Sequence, residues 1–157
     1  MGRIEERLSE LGLELPAPLA PPAGVEFPFD LVHVSGGLGY VSGHLPVDGS
    51  EVLYTGRVGA ELTLEQGYEA ARATCLSMLA GLRRELGDLD RVTGWVKALG
   101  LVRCANGFDR PPAVVNGFTD LVLELWGEAG RHARSAVGAA QLPFGVPVEV
   151  EAVVEVA

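Results

Sequence analysis

Arg134 stands at the head of the apolar run ARSAVGAA, and three glutamates, Glu149, Glu151 and Glu155, recur at even spacing in VEVEAVVEV. A guanidinium is a planar, permanently charged fork that meets a carboxylate through two parallel N–H bonds. A carboxylate held near a bound electrophile can position or deprotonate a water. These residue types could therefore orient a small acid and hydrate a C=N bond beside it. If both segments are strands, alternation puts Arg134, Ala136 and Gly138 on one face, and the three glutamates on one face of the next strand. The plainer alternative is an ion pair between Arg134 and Glu149 or Glu151 across a hairpin whose turn includes LPFG, 142–145, with Glu151 and Glu155 on a solvated face.

Other chemistry-bearing residues are scattered. His33, His44 and His132 have no metal-ligand spacing. His44 lies beside the Ser42-Gly43 break, where a ligand could use exposed backbone, whereas His33 and His132 read as ordinary strand or loop residues. Nucleophile elbows, zinc-protease motifs and phosphate loops are absent from the sequence, and SGGLG is followed by a strand rather than a helix, so it reads as a hairpin turn.

These residues need a scaffold. With 157 residues, 48% of them hydrophobic, the chain can bury the core of one ordinary domain. A formal charge of -9, without a basic stripe, argues against a nucleic-acid partner. Cys75 and Cys104 have no CxxC pattern and read as buried thiols of a reducing compartment. MGRIEERLSELGLELP lacks the apolar stretch of a secretory signal, and no window is long enough to span a membrane. The expected location is the cytoplasm.

Ile4, Leu8 and Leu11 recur at helical spacing through residues 3–12, and LPAPLAPPAG, 15–24, with four prolines, reads as an extended arm. Residues 1–24 are thus set apart from a globular unit at 25–157. Leu31 to Val34 and Leu38 to Val41 flank a Gly-Gly turn and suit a hairpin. Thr63 and Gln66 form a capping box ahead of a helix whose apolar face runs from Tyr68 to Leu86 and stops at Gly87. A strand at 91–104, the loop NGFDRPP, a second amphipathic helix from Val114 to Leu125 closed by Gly127, and the two final strands complete the order. It predicts a two-layer α+β domain, a mixed sheet with two principal helices on one face. The other face must be wet or covered by another subunit, and the apolar last strand favours the second.

ARSAVGAAQLPFGVPVEVEAVVEV resembles the C-terminal signature of the RidA family (YjgF, endoribonuclease L-PSP). YVSGHLPV resembles its strand with Ser-Gly-x-x-Pro, and AVVNGFTDLVLELWGEAG its Val-Asn segment opening the second helix. The similarity runs from about residue 28 onward. It implies a chorismate-mutase-like fold, a homotrimer, and clefts between subunits that bind a small carboxylate-bearing ligand. It further implies hydrolysis of 2-enamino or 2-imino acids to 2-keto acids and ammonia without metal or organic cofactor. By the same resemblance Arg134 holds the substrate carboxylate, Glu149 positions water, Gly43 lends its backbone, and Asn116 helps to build the site.

Two positions depart from members active in this way. Phe29 stands where they carry tyrosine, leaving a packing wall without a hydroxyl, and Ala136 where they often carry cysteine or another polar residue. The loop RCANGFDRPPA and the N-terminal extension resemble a subgroup of longer members. A non-catalytic binding module for small carboxylates or keto acids is therefore the alternative function, and the ribonuclease suggested by the older family name is disfavoured by the acidic balance.

Overall fold

The computed structural model describes all residues, Met1–Ala157. Three helices, α1 (Arg3–Glu10), α2 (Leu64–Leu86) and α3 (Pro111–Trp126), accompany seven strands. Five strands form one sheet: β1 (Val32–Ser35), β2 (Leu38–His44), β5 (Val92–Arg103), β6 (Ala133–Ala139) and β7 (Val148–Val156), in the order β1-β2-β7-β5-β6. A separate ribbon pairs β3 (Val47–Asp48) with β4 (Glu51–Val52). Only β5 and β6 run parallel, so the sheet is mixed. Alternate residues of β5 and β7, such as Ala98, Val102, Val150 and Val154, face α2 and α3, making the two-layer α+β arrangement that the element order predicts.

Local chemistry explains the boundaries. The β1–β2 hairpin turns on Gly36 and Gly37, both at positive φ (61° and 78°), as a two-residue loop with the right twist requires. At the start of α2, the Thr63 Oγ1 accepts from the Gln66 N–H at 3.1 Å, and Gln66 Oε1 accepts from the Thr63 N–H at 2.8 Å. The helix stops at Gly87, whose positive φ of 84° carries no Cβ penalty.

The helix α1 has no cap of its own. Asp90 supplies one from across the fold, accepting from the Arg3 and Ile4 N–H groups at 2.8 and 2.9 Å. Ile4 and Leu8 are buried in the main core. The arm after it lies on its own chain: the Ala17 N–H donates to Asp48 Oδ1 at 2.8 Å, the Gly49 N–H donates to the Ala17 carbonyl, and the Ala20 N–H to the Gly49 carbonyl. Leu19 joins Leu45, Val47, Leu142 and Val146 in a second core that covers Leu101 and Ala139 on the face away from the helices. The remainder of that face is uncovered, with Val96 39% and Val137 47% exposed.

The last two strands do not form the predicted hairpin. Strand β7 is inserted between β2 and β5, and residues 140–147 carry the chain over β5 from the edge strand β6. Leu-Pro-Phe-Gly is therefore a crossing turn, with Phe144 in the left-handed region at φ 58°. No ladder joins Arg134 to the glutamates.

Helix α3 lies close to its neighbours because Gly100 and Gly117 have no side chains. A Cβ at Gly117 would overlap the Tyr68 carbonyl oxygen of α2, and one at Gly100 would meet the Val115 methyls at 2.6 Å. Gly117→Ala must push two backbones apart, so it is expected to lower the unfolding free energy by about 3 kcal/mol, read from urea titration. A loss below about 0.5 kcal/mol, within surface-mutation scatter, would contradict this close crossing.

Candidate functional site

The predicted site residues fall into two groups. Arg134 pairs with Ala98 and Glu149 with Leu101, three positions along β5, so alternation sends them to opposite faces of the sheet. Arg134 and Ala136 lie on the helix side, and Ala136 packs against the main core. Glu149 lies on the uncovered side together with Glu151. One chain brings Arg134 to Asn116 and Gly43 to Glu149, but it does not bring the arginine to the glutamate.

The first group is built where β6 passes the start of α3. Arg134 Nη1 donates to Asn116 Oδ1 at 2.8 Å and to Thr119 Oγ1 at 3.1 Å, and Nη2 donates to the Pro112 carbonyl at 3.3 Å. Asn116 and Thr119 are three residues apart and share one helical face. A guanidinium has five N–H groups; with three engaged, the Nε–H and one Nη2–H are free. Those two nitrogens form the side-on edge that accepts a carboxylate bidentately. No carboxylate lies within salt-bridge distance of Arg134. Partial burial lowers its pKa, opposed by the nearby Asp120 charge, which Tyr68 engages by donating its hydroxyl at 2.7 Å.

The second group forms at a bulge in β2. Val41 pairs with Ala152 and His44 with Val150, so Ser42 and Gly43 occupy the space of one partner residue. The sequence reading of Ser42-Gly43 as a break is thereby met. A Cβ at Gly43 would collide with the Glu149 carboxylate, so glycine is what allows backbone and carboxylate to approach. Glu149 is half-buried and accepts no hydrogen bond from the protein. Burial raises its pKa, and the neighbouring Glu151 charge raises it further. Such a carboxylate is a competent water-positioning group.

The chain around Phe29 runs beside this bulge. Ser42 Oγ donates to the Asp30 carbonyl at 2.7 Å, and the Ser42 N–H to the Leu31 carbonyl at 2.9 Å. Phe29 is 53% exposed and stacks on Phe27 with ring centroids 5.1 Å apart. Both line a cleft of about 280 Å³ between this segment, the arm and α2.

His44 is not ligand-facing. The bulge turns it inward, where it is fully buried; its Nδ1–H donates to the Ser42 carbonyl at 2.7 Å, and Nε2 has no partner. Desolvation lowers its pKa from 6.5 to about 4, the Ser42 bond opposing and the Arg84 charge assisting. Because the unfolded chain binds this proton more readily, its contribution to stability is complete above pH 6.5 and is lost as pH falls toward 4. That loss is expected to reach roughly 3 kcal/mol. Urea titrations across this range should show a flatter pH dependence for His44→Phe than for the parent; equal slopes would contradict it.

Sequence reasoning passed over Thr119 and read His132 as an ordinary strand or loop residue. The His132 Nδ1–H donates to the Gly130 carbonyl at 2.7 Å, and its Nε2 lies 3.1 Å from Thr119 Oγ1. The available signal was spacing: Thr119 shares a helix face with Asn116, and His132 precedes Arg134 by two residues. No three His, Cys, Asp or Glu side chains converge where a metal ion could sit. Both cysteines are free thiols, and burial pushes the Cys75 pKa up. None of the helices is long and apolar enough to cross a membrane.

Fold and site residues together define a class. Residues 5–154 match the model of the family described as YjgF/chorismate mutase-like, and the chain belongs to that family. Protein TCP17 of Trypanosoma cruzi is 44% identical over 156 residues, covering 98% of this chain and 94% of TCP17. The crystal structure of Atu1372 from Agrobacterium tumefaciens, a protein of unknown function, is 37% identical with a TM-score of 0.87 and coverages of 98% and 92%. Escherichia coli TdcF, solved with bound serine, is 21% identical, with a TM-score of 0.60 over 90% of this chain and 94% of TdcF; that likeness is one of fold. The family match begins at residue 5, so it takes in most of α1 and all of the arm, which the motif resemblance left out.

Proposed function

We propose that this protein hydrolyses 2-enamino or 2-imino acids to 2-keto acids and ammonia, in clefts between the subunits of a homotrimer. The observation that carries this reading is the pinned but ion-pair-free guanidinium of Arg134, with its side-on edge open. Serine bound to TdcF is an amino acid with the same carboxylate. A clamp on the substrate carboxylate fixes the imine carbon relative to the surrounding groups, replacing a chance encounter by a held geometry.

Glu149 then positions a water on the opposite side of the cleft. As the water oxygen forms its bond to C2, a water proton passes to the carboxylate and the C=N electron pair moves to nitrogen. Nitrogen takes that proton from the carboxylate to give a neutral carbinolamine. The carbinolamine hydroxyl proton then passes by way of Glu149 to nitrogen as the C=O bond forms and the C–N bond breaks, so ammonia leaves and the 2-keto acid remains. The raised pKa of Glu149 makes it a better proton acceptor than an exposed carboxylate. Because Arg134 and Glu149 face opposite ways within one chain, a shared site needs a second copy, which the uncovered sheet face, where Val96 and Val137 are exposed, is suited to dock. A reducing cytoplasm is the setting in this reading, consistent with two free thiols.

The test generates 2-imino acids in situ with an amino-acid oxidase, traps the survivors with semicarbazide, and compares their loss with and without the protein. Acceleration over several side-chain sizes supports hydrolysis; none would overturn it. A second reading, a non-catalytic trimer that binds small carboxylates or keto acids, is favoured by the missing hydroxyl at Phe29. It expects Arg134-dependent binding of 2-keto acids with no acceleration, and calorimetry with a keto-acid panel distinguishes the two.

A further inference from the structure

The hydrogen bonds behind Arg134 can be assigned in one direction. The Gly130 carbonyl can only accept, so His132 carries its proton on Nδ1. In the neutral ring Nε2 is then bare, and it accepts the Thr119 hydroxyl proton across 3.1 Å. With its hydrogen turned toward His132, Thr119 presents a lone pair to Arg134, whose Nη1–H it accepts at 3.1 Å. Burial, followed by the Arg134 and Arg131 charges, holds the His132 pKa below its ordinary value, which favours this neutral form; the Gly130 bond acts the other way.

The ring is itself fixed. His132 is half-buried and lies against Trp95 with ring centroids 6.5 Å apart, and it forms no ion pair. Each proton from the Gly130 carbonyl to the guanidinium therefore has one donor and one acceptor. Asn116 holds one Nη1–H and Thr119 the other, so rotation of the guanidinium about its own axis would break two bonds at once.

We propose that Thr119 and His132 are positioning residues for Arg134, forming a relay that keeps its Nε and Nη2 edge turned toward the bound carboxylate. This rests on the carboxylate-binding reading of Arg134, though not on hydrolysis. Residues that touch neither substrate nor water would then set the affinity of the clamp, through the order of the bonds behind it. In such a chain the second loss matters less than the first, because Thr119 without its acceptor no longer holds a fixed hydroxyl.

The test is calorimetric titration of the full-length protein with pyruvate as the probe, alongside thermal melts. Thr119→Val keeps the side-chain shape and removes the hydroxyl, and it is expected to weaken pyruvate binding about tenfold. Thr119→Ser should restore affinity to within about twofold. His132→Phe should weaken binding by about threefold to tenfold, and His132→Gln, which can place an acceptor near Nε2, should recover most of it. The double variant Thr119→Val with His132→Phe should bind no more weakly than Thr119→Val alone. A Thr119→Val affinity equal to the parent's, or losses that simply add in the double variant, would overturn the relay. Arg134→Ala separates the two readings. If pyruvate binding survives that change, the clamp and the relay both fail; if binding needs Arg134 but ignores Thr119, only the relay fails.

Discussion

Replacing Arg134 by alanine is expected to lower kcat/KM for imino-acid hydrolysis by about two to three orders of magnitude. The loss corresponds to two charge-assisted hydrogen bonds to a carboxylate, about 3–4 kcal/mol. Thermal stability should change little, because Arg134 lies on an edge strand, is only half-buried, and takes part in no ion pair that its removal would orphan. Arg134→Lys is the sharper comparison. Lysine keeps the charge but loses the planar fork, so it cannot satisfy Asn116, Thr119 and Pro112 while also meeting both carboxylate oxygens. It should recover no more than about a tenth of the parent activity. Full imine hydrolysis by Arg134→Ala would remove this arginine from the site.

The second large effect concerns the division of the site. Arg134→Ala and Glu149→Gln should each be nearly inactive alone. Co-refolded in equal amounts, they should recover about a quarter of the parent activity, since random mixing places an intact Arg134 against an intact Glu149 in about that share of the clefts. If each cleft drew both residues from one chain, no mixture could contain a complete site and activity would stay at the level of the separate variants. The opposite facing of Arg134 and Glu149 makes the first outcome the expected one. Light scattering on the same samples checks that trimers form, and native mass spectrometry, which resolves the two chain masses, that they mix; a monomer would defeat both the mixing and the proposed cleft.

Features governed by neighbours in the chain were legible beforehand. The Thr63–Gln66 box, the Gly36-Gly37 turn and the stop at Gly87 each involve a few consecutive residues whose chemistry has one favourable local solution. The break at Ser42-Gly43 was equally readable, because a bulge is a local event. Strand order was not. Val148–Val156 reads as an apolar strand whichever strands flank it, and the short turn before it favoured an adjacent hairpin over a crossing of β5. From that error came the expected pairing of Arg134 with the glutamates. Asp90 capping α1 from 86 positions away was invisible for the same reason. Thr119 looked like an ordinary helical residue, and His132 like a loop histidine, until β6 was laid against α3. The resemblance pointed to Arg134, Asn116, Gly43 and Glu149, and only the three-dimensional arrangement sorts them into two groups on opposite faces of the sheet.

The position of β7 has a consequence for biosynthesis. It is the centre of the five-stranded sheet, yet it follows every other element of that sheet along the chain. While the ribosome is still translating it, β2 and β5 have no partner between them, and β5 can offer β6 only one side of its ladder. The nascent protein must therefore wait with two unpaired strand edges and an uncovered apolar layer, a state that attracts chaperones and self-association. A ribosome stalled before residue 148 would leave a product unable to close its sheet. Closure of the sheet thus depends on its central nine-residue strand, the last of the five to be made.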